Sequence, residues 1–326
     1  MSFLAMPHAI RVHEFGGPEV LEWDEVEVGA PGPGQARLRQ TAVGLNFIDV
    51  YHRTGLYPLS RPFIPGVEGA GIVEAIGEGV TSVSVGDRVA YVGAIGGYAE
   101  QRLLPADRLV KIPTDVADEA AAGSLLRGLT VWYLIRRTHR LAPGETILVH
   151  AAAGGVGLIL CQWASHVGAT VIGTVSTRDK ADLARAHGCA HPIVTSEADF
   201  VTETKKIAPQ GLPVVYDSVG RDTFMKSFQC LQPLGLMVLF GQASGAVEPF
   251  DPNFLQRGSW FLTRPTLATY TARREDLEAA AQEFFGAVAS GAVNIDVRQR
   301  FPLAKAAAAH RALEGRKTTG STVLTV

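Results

Sequence analysis

The stretch VHAAAGGVGL, from Val149 to Leu158, separates two apolar runs. Glycines between a buried strand and a helix suit one chemistry above others, the holding of a phosphate by backbone N–H groups at a helix start. Against the pattern G-x-G-x-x-G the aligned positions are Ala152, Gly154 and Gly157, so alanine replaces the first glycine. Gly154 would let the backbone approach a pyrophosphate and Gly157 would let the helix pack tightly on its strand, with Gly155 and Val156 opening the helix between them. A tight strand-to-helix turn without a ligand is the plain alternative.

The next strand bears on which dinucleotide fits. In VIGTVSTRDK, Ser176 stands at the strand end about 20 residues past the loop, where NAD sites place a carboxylate on the ribose hydroxyl. Arg178 and Lys180 follow at once. A carboxylate would repel a 2'-phosphate, whereas a small hydroxyl with two cations attracts it, so the expected cofactor is NADPH. Solvated helix-start residues, their charge partly offset by Asp179 and Asp182, would look the same.

Elements of two kinds must carry these residues. The first third of the chain has short alternating or apolar segments broken by glycine and proline, such as QARLRQTAVGL and GDRVAYVG, which indicate a β-rich domain. From Asp118, DEAAAGSLLRGLTVWYLIRRT predicts a helix with an acidic start and a basic end. Apolar runs (TILVHA, TVIGTVS, HPIVT, PVVYDSVG, LMVLFGQ) then alternate with helical segments, including DTFMKSFQCLQ, as in a parallel sheet covered on both faces. An amphipathic helix over REDLEAAAQEFFGAVASG and a closing strand STVLTV complete the chain.

With 326 residues and 47% hydrophobic content, the chain can bury two cores. A net charge of -2 gives no pull toward phosphate backbones or anionic lipid, so nucleic-acid binding is not expected. No run approaches the roughly 18 apolar residues that cross a bilayer. The three cysteines, Cys161, Cys189 and Cys230, are widely separated and suit a reducing compartment, so a cytoplasmic location is expected.

The sequence resembles the quinone oxidoreductase (zeta-crystallin-like) branch of the medium-chain dehydrogenase/reductase superfamily. The likeness rests on GLNFIDVYHRTGLYP (Gly44 to Pro58), PGVEGAGIVEAIGEGV (Pro65 to Val80), GDRVAY, LLRGLTVWYL, HAAAGGVG, VVYDSVG and LFGQASG, in the expected order over nearly the whole chain. It implies a GroES-like domain from residues 1–125 and 267–326, with a Rossmann domain, a doubly wound parallel sheet, at 126–266. Zinc-dependent relatives coordinate metal through the His of a G-H-E segment, but Val67 lies between Gly66 and Glu68 and an aliphatic chain cannot ligate. Nor is there a cysteine before Cys161, so no metal is expected. His52, His139 and His150 are expected as surface or helix-end residues.

Without a metal to stabilise an alkoxide, the favoured acceptors spread incoming charge over conjugated atoms. The resemblance therefore implies an NADPH-dependent quinone reductase. An alkenal or enoyl reductase on the same scaffold and a nucleotide-sensing or RNA-binding protein are the alternatives. The same resemblance places Asn46, Tyr51 and Tyr57 in a substrate-cleft loop, where the tyrosines could equally pack at a boundary, and where Asp49 could fix the loop or act in chemistry. It places Thr130 and Tyr133 beside the cofactor or in the core. Phe240, Gly241 and Gln242 are expected after the fifth strand near the nicotinamide, with Arg264 and Pro265 bordering them. Ser218 could touch ribose, or Asp217 could merely cap a helix. Thr195 stands where some relatives stack a tyrosine on adenine. Arg316 resembles a position that reaches the 2'-phosphate, or is a solvated loop arginine. Relatives pair outer strands, so SWFLTRPTL (Ser259 to Leu267) predicts a homodimer.

Overall fold

A computed structural model describes residues 6–315 and 317–326. The chain forms two compact units. Unit 1 contains the chain up to Arg127, then Thr271–Phe285 and Ile295–Val326; unit 2 contains Gly128–Tyr270 and Gly286–Asn294. The short return of 286–294 to unit 2 was not anticipated from the sequence. Its basis is local: the Asn294 N–H donates to Gln162 Oε1 (2.8 Å) and Gln162 Nε2 donates to the Asn294 carbonyl (3.2 Å).

The described strands, in chain order, are β1 (His8–Val12), β2 (Leu21–Glu25), β3 (Gln35–Gly44), β4 (Glu68–Ile76), β5 (Arg88–Val92), β6 (Gln101–Pro105), β7 (Leu109–Lys111), β8 (Thr146–Val149), β9 (Thr170–Val175), β10 (His191–Val194), β11 (Leu212–Asp217), β12 (Leu231–Leu239), β13 (Phe261–Thr263), β14 (Val297–Pro302) and β15 (Ser321–Thr325). In unit 1, β1 pairs with β2, and a sheet runs β14-β15-β3-β4-β5-β7 with β6 also on β3. Its strands alternate apolar-in and polar-out where one face meets water, as the first half of β3 does. Ile10, Val12, Val43, Leu45, Tyr98, Leu303 and Leu324 fill the core beneath.

Unit 2 is a parallel sheet in the order β10-β9-β8-β11-β12-β13. The doubly wound fold follows from its strands: β8 and β11 are buried almost throughout, as strands covered on both faces must be. The chain order outward from β8 reverses beside β11, and the carboxyl ends of β8, β9, β11 and β12 share one edge of the sheet.

One expected helix is broken. Between Asp118 and Thr138 the chain forms helices Asp118–Ala122 and Leu125–Tyr133 and then widens into a π turn over Leu134–Thr138. The break falls at Gly123, whose carbonyl leaves the helical ladder and accepts from Ser321 Oγ (2.7 Å) and Arg127 Nη1. The segment DTFMKSFQCLQ likewise stops being helical at Cys230, since Leu231 opens β12.

Candidate active site

In unit 2 the glycine loop follows β8. Ala151 adopts a left-handed conformation (φ 55°), the Ala152 N–H donates to the Thr174 carbonyl (2.9 Å), and the helix Gly155–Val167 begins with Gly154 as its cap. A Cβ on Gly157 would run into the carbonyls of Ala151 and Ala152, so only glycine lets the helix start this close to the strand. The first turn of that helix carries no acidic side chain, leaving its N–H dipoles to face an anion.

His150 corrects the expectation of a surface or helix-end residue. It is buried, with Nδ1 at 2.9 Å from Thr174 Oγ1 and Nε2 at 2.8 Å from Ser227 Oγ, and burial pushes its pKa below the usual range. Two hydroxyls take the place of the water it would lose. His52 is also buried, whereas His139 does end a helix and bonds Glu145 (3.0 Å).

Ser176 lies just past β9 and is exposed. Thr177 caps the helix Arg178–Ala186 by accepting from the Lys180 N–H (3.3 Å). Arg178 projects into solvent and bonds Glu197 Oε1 at 2.8 Å, so its charge is already partly engaged. Thr195, on the neighbouring strand end, donates from Oγ1 to the Val175 carbonyl (3.2 Å).

Past β11, Asp217 is a cap. Its Oδ1 accepts from the N–H groups of Val219 (2.7 Å) and Gly220 (3.1 Å), and Oδ2 from Thr223 Oγ1 (2.8 Å). Ser218 is thereby held beside the segment after β12: Phe240 N–H donates to Asp217 O (2.8 Å), Ala243 N–H donates to Ser218 O (3.1 Å), and Gly241 packs on Ser218 so closely that a Cβ would meet its carbonyl oxygen at 2.7 Å. Gln242 continues this half-buried strip, and Arg264 Nη1 donates to Leu239 O at 3.2 Å ahead of the buried Pro265. The glycine loop, Ser176, Ser218 and the 240–242 strip thus share the carboxyl edge of the sheet. Thr130 and Tyr133 are both buried on the helix Leu125–Tyr133, with Tyr133 stacked on Tyr270. Burial raises the Tyr133 pKa, which keeps its hydroxyl neutral. Arg316 lies outside the described residues.

In unit 1, Asn46 begins the helix Phe47–Thr54 and is buried, its Nδ2 donating to Glu68 Oε2 (2.8 Å) and its N–H to Asp49 Oδ2 (2.9 Å). Tyr51 and Tyr57 meet edge to face with centroids 5.2 Å apart, tied by the Tyr57 N–H to the Tyr51 carbonyl (3.1 Å). The three candidates therefore sit on one helix and the turn that leaves it.

Sequence reasoning missed what lies behind Asn46. Glu68 is fully buried and takes the Leu126 N–H on Oε1 (2.6 Å). Burial drives its pKa up to about 7 against the opposing pull of Arg127 and the hydrogen bond from Asn46. Asp49, also fully buried, accepts from Tyr98 Oη (3.0 Å) and is likewise pushed up to about 7, chiefly by burial. A visible signal existed, since Glu68 and Arg127 are lone charges in otherwise apolar runs, and such charges are seldom buried without partners.

A family model for the zinc-binding dehydrogenases matches residues 155–285, and one for the alcohol dehydrogenase GroES-like domain matches residues 32–114. A quinone oxidoreductase of Pseudomonas aeruginosa is 49% identical over 98% of this chain and 99% of its own length. A 2-haloacrylate reductase of a Burkholderia species is 46% identical, again over 98% of this chain and 99% of its own. The crystal structure of Escherichia coli quinone oxidoreductase complexed with NADPH superposes with a TM-score of 0.96 at 46% identity, covering 98% of this chain and 100% of that one. The chain belongs to the quinone oxidoreductase branch of the medium-chain dehydrogenase/reductase superfamily.

As in that branch, a GroES-like domain accompanies a Rossmann sheet. The residues of this member do not fit zinc. Val67 is buried between Gly66 and Glu68, and all three cysteines are buried in unit 2. Among the described residues, the set of three possible ligands that come together is His13, Glu22 and Asp24 on the surface of unit 1.

Proposed function

We propose that this protein is an NADPH-dependent quinone oxidoreductase that works without a metal. The observation that carries the reading is the full-length likeness to a quinone oxidoreductase complexed with NADPH. When bound, NADPH supplies the hydride. Gly154, Gly155, Val156 and Gly157 would take its pyrophosphate at the helix start, Ser176, Arg178 and Lys180 its 2'-phosphate, and Ser218 with Phe240, Gly241 and Gln242 its ribose and nicotinamide. Thr130, Tyr133, Arg264 and Pro265 would border the same group. Asn46, Tyr51 and Tyr57 would orient the acceptor, which stabilises its own negative charge by conjugation and so needs no cation.

A second reading extends the acceptors to conjugated acids and enones, favoured by the likeness to a 2-haloacrylate reductase. Both share the donor and differ in where the proton ends, on oxygen or on carbon. Exposed Phe261 on the edge strand β13 supports a homodimer by strand pairing. Buried free thiols support a cytoplasmic location, and the balanced charge argues against nucleic acid as a partner. Among the described residues, no helix is long and apolar enough to cross a membrane.

The test is NADPH and NADH oxidation by stopped flow against a panel of quinones, enones and 2-haloacrylate, with and without chelator. NADPH-preferring, chelator-insensitive reduction of quinones is the expected result. Turnover of a saturated alcohol, or loss of activity with chelator, would overturn it.

A further inference from the structure

A reduced quinone needs a proton as well as a hydride, and the structure assigns a place for one. The argument starts at Arg53, which is almost fully buried and can only donate hydrogen bonds. Its Nη1 lies 3.0 Å from His310 Nδ1, so that nitrogen must accept. The ring is then neutral with its proton on Nε2, in keeping with the depression of its pKa to about 3 by burial and by Arg53. The Nε2–H points at Tyr98 Oη (3.1 Å), and the Tyr98 hydroxyl is left to donate to Asp49 Oδ2 (3.0 Å). Every hydrogen along this line is aimed at Asp49, and none can return through Arg53.

Four carboxylate oxygens meet behind Asn46. Asp49 Oδ2 accepts from Asn46 N–H and Tyr98, Glu68 Oε1 from Leu126 N–H, and Glu68 Oε2 from Asn46 Nδ2. The fourth, Asp49 Oδ1, is buried and no donor among the described residues reaches it. Charge gives the same answer. The cation facing both carboxyls is Arg127, whose own N–H groups go to the carbonyls of Gly123 and Leu45. The other groups around them are neutral: Tyr91 and Tyr98 have pKa values raised by burial, while His52 on the same helix and His310 beyond Tyr98 have theirs lowered by it. Arg102 lies over the Tyr91 ring and donates to the carbonyls of Ala94 and Ile95, and Arg53 is taken up by Glu314 (2.8 Å). Two buried carboxyls against one guanidinium leave one negative charge uncompensated, and two carboxylates this close to one another do not both ionise readily.

We propose that Asp49 carries a proton on Oδ1 at neutral pH and that this is the proton the reduced acceptor takes up. The proposal rests on the quinone reductase reading. After the acceptor has gained a hydride it is a hydroquinone monoanion; the Asp49 O–H bond breaks, an O–H bond forms on the anionic oxygen, and water returns a proton to Asp49. No electron moves in this step. Asp49 has no exposed surface, so it is a proton store that exchanges through entering solvent, and a positioning group for Asn46, whose N–H it holds on Oδ2.

The test follows the carboxyl carbonyl stretch by infrared spectroscopy in NADPH-loaded protein as pH is raised, together with quinone reduction, for wild type, Asp49→Asn and Glu68→Gln. The wild type should show a protonated-acid band at slightly acidic pH that fades with a midpoint near 7. kcat should fall over the same range. Asp49→Asn should lack the band and show a pH-independent kcat lowered on the order of 100-fold, as for loss of a general acid. Glu68→Gln, which removes a negative neighbour, should move the band and the kcat profile together to lower pH. Absence of the band in wild type, or a normal kcat profile in Asp49→Asn, would overturn the proposal. If Asp49→Asn does not fold, a Glu68→Gln band that shifts without the kcat profile does the same. Protein that binds NADPH but reduces no quinone or enone at any pH sinks the underlying function, whereas active protein with an unresponsive profile sinks only the proton store.

Discussion

Tyr133 and Tyr270 lie face to face, their ring centroids 4.6 Å apart and their planes 6° from parallel. The stack fixes the end of the helix Leu125–Tyr133 against the turn Leu267–Tyr270, and with it the side chain proposed to border the cofactor. Tyr270→Ala should cost about 1 kcal/mol of stability, the worth of an aromatic pair, and raise the NADPH Kd several-fold. Tyr270→Phe, which keeps the ring and loses only the acceptor for Thr138 Oγ1 (3.3 Å), should leave the NADPH Kd unchanged and cost less stability. Thermal melts and fluorescence titration with NADPH read both.

The proposed 2'-phosphate site lies at the exposed end of β9. Ser176→Asp should lower kcat/KM for NADPH at least about tenfold and raise it for NADH, because a carboxylate there repels the phosphate and accepts from the ribose hydroxyl. Arg178 is shared with Glu197 at 2.8 Å, so Glu197→Gln should tighten NADPH binding by releasing the guanidinium. Equal use of both cofactors by wild type would count against the whole assignment.

The glycine loop separates two substitutions by geometry. At Gly157 an added Cβ meets two backbone carbonyls that cannot move without displacing β8, whereas at Gly154 it meets only the Ala151 oxygen at 3.1 Å. Gly157→Ala should therefore weaken NADPH binding far more than Gly154→Ala. Isothermal titration of the two variants side by side checks the order, and a reversed order would mean that contact with the anion at Gly154 outweighs helix packing.

Stability should be limited from both sides of pH by unit 1. His310 has a folded pKa near 3, below its unfolded value, so the unfolded chain binds the extra proton and stability is lost as pH falls below about 6.5. Asp49 and Glu68 have folded values near 7, above their unfolded ones, so the folded chain holds the protons and stability is lost as pH rises from about 4 to 7. Each loss is at most about 1.4 kcal/mol per pH unit and group. His310→Gln, whose amide can accept from Arg53 and donate to Tyr98, should flatten the acid side. Asp49→Asn should reduce the loss on the other. Urea unfolding at several pH values resolves the two limbs.

How much of this was legible in the sequence depended on how local the signal was. The glycine loop, the apolar strands of unit 2 and Ser176 at a strand end are set by neighbours within a few residues, and their elements appear where expected. The break at Gly123 was not legible, because the groups that capture its carbonyl come from Ser321, 198 residues away, and from Arg127. The buried carboxyl cluster was hidden for the same reason: Asp49, Arg127 and His310 come from three different helices, Glu68 from a strand and Tyr98 from a connection, all far apart in the chain. His150 looked like a surface or helix-end histidine because its partners Thr174 and Ser227 belong to later elements.

The strand β15 inserts between β14 and β3, setting Val323 opposite Gly44, two residues before Asn46. A ribosome making this chain releases every strand of unit 2 before it reaches β15. The parallel sheet can thus mature while the Ala42–Gly44 end of β3, whose first half β6 already covers, waits for its partner. A chain without β15 would keep every strand of its Rossmann sheet and leave an open, sticky seam at that end of β3.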